Sequence, residues 1–331
     1  MISFLKSPIT VYFLFLISIG IVLDLAWRIL QFISWICKRD WFEKFTQFFV
    51  TRNVNSVKVV VAVAFFSLLL SFYAAYEGAK IPPIKEVIIY SQKITEKQKV
   101  VLLSDLHISR EIPDEKINKI IQRVNALKPD LIILSGDILD DEISTLTSKA
   151  KLLADLKAKS GVYFVLGNHE IYFGREYQSK KLLRAQNLIL LENSGIEANA
   201  QIYVGGIPDS FSRRVHGHSI DLQRTFANSR EGQFRILVSH TPRNFYAKTN
   251  FDLELAGHTH GGQIFPFFFM VYFLNDFFAG LYDMANGAKI YVSRGTGQWG
   301  PQMRLFAPSE ITLIKLLPMS LSRNKGDQEN S

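Results

Sequence analysis

Leu253-Glu254-Leu255-Ala256-Gly257-His258-Thr259-His260-Gly261-Gly262-Gln263 is the stretch on which the fold turns. A short apolar run, fit for a buried strand, ends in glycine and then offers two histidines at spacing two. The arrangement recurs upstream. Residues 100–103 end in Ser104-Asp105-Leu106-His107, and residues 131–134 in Ser135-Gly136-Asp137. Residues 162–166 end in Gly167-Asn168-His169-Glu170, and residues 234–238 in Ser239-His240-Thr241-Pro242. Five strand ends each deliver Asp, Asn or His, and ligands gather where the carboxyl ends of strands meet at one edge of a sheet.

Outward from these motifs, further strands are predicted at 87–90, 202–204, 290–292 and 311–314, and helices at 113–127, 149–157 and 179–185. Early strands alternate with helices and later ones follow one another closely. The expected domain is α/β, with two packed sheets flanked by helices. Its bounds are read as 81–318, with a polar tail over 319–331.

Two carboxylates, one amide oxygen and four imidazoles form the candidate donor set. Asp105 with His107, and His258 with His260, stand at spacing two, so both members of each pair are expected to reach one ion. Nitrogen and oxygen donors without thiolates suit Mn, Fe or Zn better than Ca or a structural zinc. Two such ions, roughly 3.5–4 Å apart and bridged by a carboxylate, clamp a phosphoryl group and activate water near neutral pH. A lone Asp-x-His or Gly-Asp carries little information; five motifs in order, each after a strand, carry much more.

Asp105-x-His107, Gly136-Asp137, Gly167-Asn168-His169-Glu170, His240 and Gly257-His258-x-His260 together resemble the signature of the calcineurin-like metallophosphoesterases over about residues 97–316. The resemblance implies an αββα sandwich with a dinuclear centre of two divalent metal ions, Mn first, then Fe or Zn. It implies that Asp105, His107 and His260 hold one ion, that Asn168, His240 and His258 hold the other, and that Asp137 bridges them. His169 is then the acid that stabilises the transition state or protonates the leaving oxygen. Scaffold members of the superfamily lose ligands, whereas this chain keeps all seven. Gly261-Gly262-Gln263, Tyr291-Val292-Ser293-Arg294-Gly295 and Pro308-Ser309-Glu310-Ile311-Thr312-Leu313 are similar to the membrane-associated bacterial branch. That branch includes transmembrane proteins with a metallophosphoesterase domain and the chlamydial-type UDP-2,3-diacylglucosamine pyrophosphatases of lipid A synthesis.

The remaining composition points the same way. Of 331 residues, 48% are hydrophobic, which excludes a disordered chain, and the apolar excess lies toward the N-terminus. Residues 7–23 are 17 positions without a charge and residues 59–76 are 18. Spans over about 8–30 and 57–76 are expected to cross a hydrocarbon core of about 30 Å. Trp41, Phe42, Phe45, Phe48 and Phe49 recur at helical spacing between them, suiting an interfacial helix over about 40–50. Residues 1–80 are thus read as a membrane anchor, and the chain as an integral protein of a bacterial inner membrane. Six Lys/Arg from Arg28 to Lys58, against Lys6, Lys80 and Lys85 on the outer flanks, place the linker in the cytoplasm and the large domain outside. The net charge of +8 is densest beside the apolar runs, which favours anionic lipids over nucleic acid. The one cysteine, Cys37, excludes an intrachain disulfide.

Ile264-Phe265-Pro266-Phe267-Phe268-Phe269-Met270-Val271-Tyr272-Phe273-Leu274 opens an aromatic stretch running to residue 278, directly after the ligand motif. It is too short and interrupted to span a membrane. Two readings stand: a lip that dips into a bilayer or cradles acyl chains, and core packed under the sheet. His216 and His218, with Arg213 and Arg214, read as a solvated loop, and Gly205-Gly206 as a turn. The expected partners are membrane lipids and a phosphorylated, lipid-linked substrate.

Overall fold

A computed structural model describes residues 56–216, 219–243 and 251–322. They form two units, one of residues 56–79 with Gly300–Leu305, the other of Lys80–Trp299 with residues 306–322.

In the larger unit twelve strands make two six-stranded sheets. The strands are β1 (Ile84–Ser91), β2 (Gln98–Leu103), β3 (Leu131–Ser135), β4 (Val162–Val165), β5 (Ile189–Leu190) and β6 (Ser194–Glu197). They continue with β7 (Ile202–Gly206), β8 (Phe234–Val238), β9 (Leu253–Ala256), β10 (Gly280–Asp283), β11 (Lys289–Val292) and β12 (Ile311–Pro318). The sheet orders are β1-β12-β2-β3-β4-β5 and β10-β11-β9-β8-β7-β6. β2, β3 and β4 run parallel, as do β7, β8, β9 and β11. Each parallel set therefore brings its carboxyl ends to one edge.

The near-continuous apolar runs of β2 to β4 follow from burial on both faces. Val101, Leu103, Ile132, Leu134 and Phe164 join the core shared with the helices Asp114–Ala126, Ile143–Lys151 and Glu176–Arg184. Their strand neighbours Val100, Leu102, Ile133, Tyr163 and Val165 join Val204, Ile236, Val238 and Leu255 of the other sheet in a second core. Helices, sheet, sheet and a thinner layer around Leu222 and Leu237 give the expected two-sheet α/β architecture.

Several local expectations are revised. The helix expected at 149–157 runs instead over Ile143–Lys151 and tightens into a 3-10 turn, Leu152–Asp155. Gly205 and Gly206 lie within β7 rather than in a turn, because a side chain there would strike Thr225 at 2.5 Å and Leu191 at 2.4 Å. His216 ends a short helix, Ser210–His216, rather than lying in a loop; His218 is outside the described residues. β5 lies in the apolar run Leu188-Ile189-Leu190-Leu191, where no strand is predicted, and the short edge strands β6 and β10 have no alternating pattern to announce them.

The first expected span and the interfacial helix lie outside the described residues. The second apolar run lies in a helix, Ser56–Ala79, whose side chains are described at Val61, Ala62 and from Ala64 onward. Among the described residues no helix is long and apolar enough to cross a membrane.

β9 also carries a buried carboxyl. Glu254 accepts from Ser239 Oγ at 2.6 Å, and burial pushes it up to about 8. A carboxyl raised above its unfolded value stabilises the fold fully below that value, and the contribution is lost as pH rises through the folded one. Glu254→Gln removes this dependence. Its melting temperature is expected to gain on the parent chain's as pH rises from about 5 to about 9, followed by circular dichroism; a constant difference would contradict the assignment.

Candidate metal centre

All eight residues singled out at the strand ends meet at the shared edge. Asp105 and His107 follow β2, Asp137 follows β3, Asn168 and His169 open the helical turn Asn168–Ile171 after β4, His240 follows β8, and His258 and His260 follow β9. All but His169 and His258 are buried. Ligand atoms of Asp105, His107 and His260 lie within 4.8 Å of one another, as do those of Asp137, His240 and His258, and those of His107, Asp137 and His169.

The pairs do not reach the site through the pleat of a strand. Asp105, His107, Asp137, His258 and His260 all have positive φ, between 44° and 70°. The left-handed turns swing the side chains inward, at about 1–3 kcal/mol each for a residue with a Cβ. They also separate His258 from His260. His260 joins Asp105 and His107, whereas His258 joins Asp137 and His240. Asp105 and His107 thus share one donor group, whereas the two histidines divide between two groups, the partition that the resemblance implies.

The turns are held by hydrogen bonds and by glycines. Asp105 N donates to Gly136 O at 3.1 Å, His107 N to Asp137 O at 2.9 Å, and Gly257 N to His240 O at 2.9 Å. Gly136 has φ +86°, and a Cβ there would lie 2.6 Å from His240 Nδ1. At Gly257 a Cβ would lie 1.6 Å from Ser104 Oγ and 2.4 Å from Asp105 Oδ2.

The geometry makes this a candidate cation site. His240 Nε2 lies 3.1 Å from Asn168 Oδ1, 3.2 Å from Asp137 Oδ2 and 3.3 Å from His258 Nδ1. One ring nitrogen carries at most one proton and cannot donate to three neighbours at once. In the other group His260 Nε2 lies 3.1 Å from His107 Nε2 and 3.2 Å from Asp105 Oδ1. Asp137 Oδ2 stands between, 3.2 Å from His240 Nε2 and 3.8 Å from His107 Nε2. Donors crowded round two points with a carboxylate between them fit two divalent ions.

The titration shifts report the same crowding of opposite charges. Burial works against ionisation of Asp137, yet His240, His169 and His107 hold its carboxyl well below the usual range. Burial likewise opposes ionisation of Asp105, and His260, then His240, hold it low. Burial pushes His240 down, but Asp137 and Asp105 lift it well above an ordinary imidazole. His258 is pushed down by burial and by His240, so it stays neutral and free to ligate.

Three groups escape a strand-end reading. Asp140 Oδ1 lies 2.6 Å from His169 Nδ1, and its Oδ2 lies 3.4 Å from His107 Nδ1. It therefore fixes which nitrogen of His169 faces the centre. Burial opposes a raised value for His169, but Asp140, then Asp137, lift it above the ordinary range. Asp140 stands three residues after Asp137, and that spacing was the available signal. Glu170 accepts from the backbone nitrogens of Asp137 (3.0 Å), Ile138 (2.6 Å), Leu139 (2.8 Å) and Gly167 (2.8 Å), tying the β3 and β4 turns together. Asp209 accepts from Thr241 Oγ1 at 2.7 Å, steadying the turn after His240.

The substitution Gly257→Ala forces Ser104 and Asp105 apart. It is expected to weaken Mn²⁺ binding about 10–100-fold, read by calorimetry and by metal content after desalting. Full metal content at parental affinity would show that the approach at Gly257 is unimportant.

A model of the calcineurin-like phosphoesterase family matches residues 98–262, the span from β2 to the last histidine turn. An uncharacterised metallophosphoesterase of Campylobacter jejuni is 33% identical over 297 residues, 89% of this chain and 77% of its own length. One from Helicobacter pylori is 34% identical over 82% of this chain and 74% of its own. A bovine "transmembrane protein with metallophosphoesterase domain" is 36% identical over 66% of this chain and 52% of its own. With this likeness and the convergent donor set, the chain belongs to the calcineurin-like metallophosphoesterases and is a phosphoester hydrolase.

Proposed function

We propose that this chain is a membrane-anchored, two-metal phosphoesterase acting on a lipid-linked phosphate, most specifically the pyrophosphate of UDP-2,3-diacylglucosamine, releasing UMP and the lipid monophosphate. The observation that carries the reading is the convergence of seven donor side chains from five strand ends on two points bridged by Asp137. Mn fits the donor set best, with Fe and Zn as the other candidates.

Asp105, His107 and His260 would hold one ion, Asn168, His240 and His258 the other, and Asp137 both. When bound, the ions supply Lewis acidity toward the phosphoryl oxygens and lower the pKa of water. The chain's own groups do the rest. His169 Nε2, 4.0 Å from Asp137 Oδ2, faces the point between the two donor groups, and Asp140 holds the opposite nitrogen. Its value raised above the ordinary imidazole range by Asp140 and Asp137, His169 is suited to donate a proton to the oxygen that leaves phosphorus.

Membrane anchoring is supported by the uncharged run at 7–23 and by the bovine relative's name, which calls that protein transmembrane, and a lipid-linked substrate is the reading that suits such an anchor. A second reading has its own support. Charge bias puts the domain outside the cytoplasm, where the substrate would be another lipid or envelope phosphate; the length of the domain weakens that rule.

Two experiments follow. Purified full-length protein with Mn²⁺ is offered UDP-2,3-diacylglucosamine and bis(p-nitrophenyl) phosphate side by side, with UMP and nitrophenolate as readouts. UMP release that His169→Ala slows about 10²–10⁴-fold is expected. Hydrolysis of the soluble diester alone, or a reporter after Ser331 found outside the cytoplasm, transfers the assignment to an envelope phosphate. Metal-loaded protein inactive on every phosphodiester refutes catalysis.

The second is a pH profile. An acid with a raised value is protonated below that value, so kcat falls as pH rises through it. Asp140→Asn removes the partner that raises His169, so the fall moves to lower pH and kcat drops about 10–100-fold. An alkaline limb left in place would show that the proton comes from another group.

A further inference from the structure

The helix Phe267–Leu274 is anomalous for a water-facing element. It reads Phe-Phe-Phe-Met-Val-Tyr-Phe-Leu, contains no charge, and buries none of its residues. Phe267, Phe269, Met270, Tyr272, Phe273 and Leu274 are all exposed, Phe273 at 79% and Leu274 at 75%. The reading of this stretch as core under the sheet therefore falls. Phe306, 70% exposed, extends the patch through Phe265, whose ring centroid lies 6.2 Å from its own and 5.7 Å and 6.1 Å from those of Phe268 and Phe269.

The helix is also fastened to the metal-ligand turn at both ends. At its start Phe268 packs on Gly262, where a Cβ would lie 2.3 Å from its Cα and Cβ. Beyond its end, Thr259 Oγ1, between the ligands His258 and His260, donates to Phe278 O at 2.6 Å. Tyr282 OH then accepts from Phe278 N at 3.1 Å and Ala279 N at 3.2 Å. An eight-residue helix is marginal alone in water; here the ligand turn holds an apolar surface in place.

We infer that Phe267–Leu274, with Phe306, is a lip that inserts into the acyl surface of a lipid bilayer and brings lipid-borne phosphates to the metal centre. The inference rests on the reading of that centre as one acting on a lipid-linked phosphate, and deepens it. Three features select lipid as the occupant. The patch offers no charge, as insertion into the acyl surface of a bilayer requires. It is built of Phe, Tyr and Met, suited to the headgroup–acyl boundary, and is too short to cross it. The chain outside the described residues contains the uncharged run 7–23, and β1 begins five residues after the apolar helix Ser56–Ala79 ends.

The test uses the full chain in a Cys37→Ser background, reconstituted in vesicles of phosphatidylethanolamine and phosphatidylglycerol. Phe273→Cys, and Tyr177→Cys on the exposed face of Glu176–Arg184, are each labelled with an environment-sensitive fluorophore. Blue-shifted emission at position 273, quenched by lipids with brominated acyl chains, is expected, with neither effect at 177. Water-like emission at 273 overturns the lip, and so does a blue shift that brominated lipid leaves unquenched, which would mean that protein covers the patch. In a parallel arm Phe269→Glu/Phe273→Glu is assayed on a phosphodiester carried in the vesicles and on bis(p-nitrophenyl) phosphate. A loss of about 10-fold or more on the vesicle substrate with the soluble rate kept is expected; equal losses, or none, overturn it. Parent protein inactive on both substrates defeats the phosphoesterase reading alone, because the fluorescence arm still decides the lip.

Discussion

A carboxylate held ionised out of reach of water has to be matched by positive charge, and Asp137 imposes that demand at the centre of this molecule. Isolation of such a charge costs several kcal/mol, so bare burial would protonate it. The surroundings instead hold it ionised: His240 at 3.2 Å, His107 at 3.8 Å and His169 at 4.0 Å. Protonated imidazoles can balance the charge, but they cannot also resolve the contacts among themselves, with His240 Nε2 facing three polar atoms and His107 facing His260 at 3.1 Å. Divalent cations resolve both at once, drawing in the same lone pairs that otherwise compete for too few protons.

The backbone is shaped to the same end. Five of the ligand residues sit in the left-handed region, which the native fold sustains only because neighbouring turns over-determine them. Glu170 is the clearest fastening. Its carboxylate gathers four backbone N–H groups from the β3 and β4 turns, so that Asp137 and Asn168 move as one piece. Small residues complete the arrangement where turns touch: Gly167 and Gly257 stand where a methyl group would collide with Asp137 and with Ser104. The two sheets, with cores on both faces of β2, β3 and β4, are the rigid frame against which this strain is held.

Much of this was legible in the chain because burial on both sides writes strands as apolar runs, and because ligands follow them at once. β2, β3, β4, β8 and β9 announce themselves in that way. β6 and β10 do not, since exposed edges carry no hydrophobic pattern, and β5 is only two residues of the apolar run 188–191 with no ligand motif after it. The partition of His258 and His260 between the two donor groups was not legible from spacing, because positive φ at both breaks the two-residue period of a strand. Asp140 and Glu170 were hidden for a different reason. They act on other side chains and on backbone rather than on the site directly, and a carboxylate near a motif looks the same whether it is solvated or clasped. Gly205 and Gly206 misled in the opposite sense: glycine suggests a turn, whereas close packing of Thr225 and Leu191 on β7 is what excludes a side chain.

The centre by itself accounts for the phosphoryl group and for nothing else in a substrate. Seven donor side chains and a histidine are indifferent to what a phosphate is attached to, so selectivity has to come from the surfaces next to them. Fully burying one Phe or Leu side chain stabilises a fold by about 1.5–3 kcal/mol, and Phe267–Leu274 leaves six large apolar side chains without that gain. Stability alone would favour polar residues at those positions. Their retention on an element tied to the ligand turn through Gly262 and Thr259 therefore calls for something outside the fold to cover them. A substrate that brings its own apolar phase, with the phosphate at its surface, satisfies both the metal centre and the lip, whereas a small soluble ester satisfies only the first.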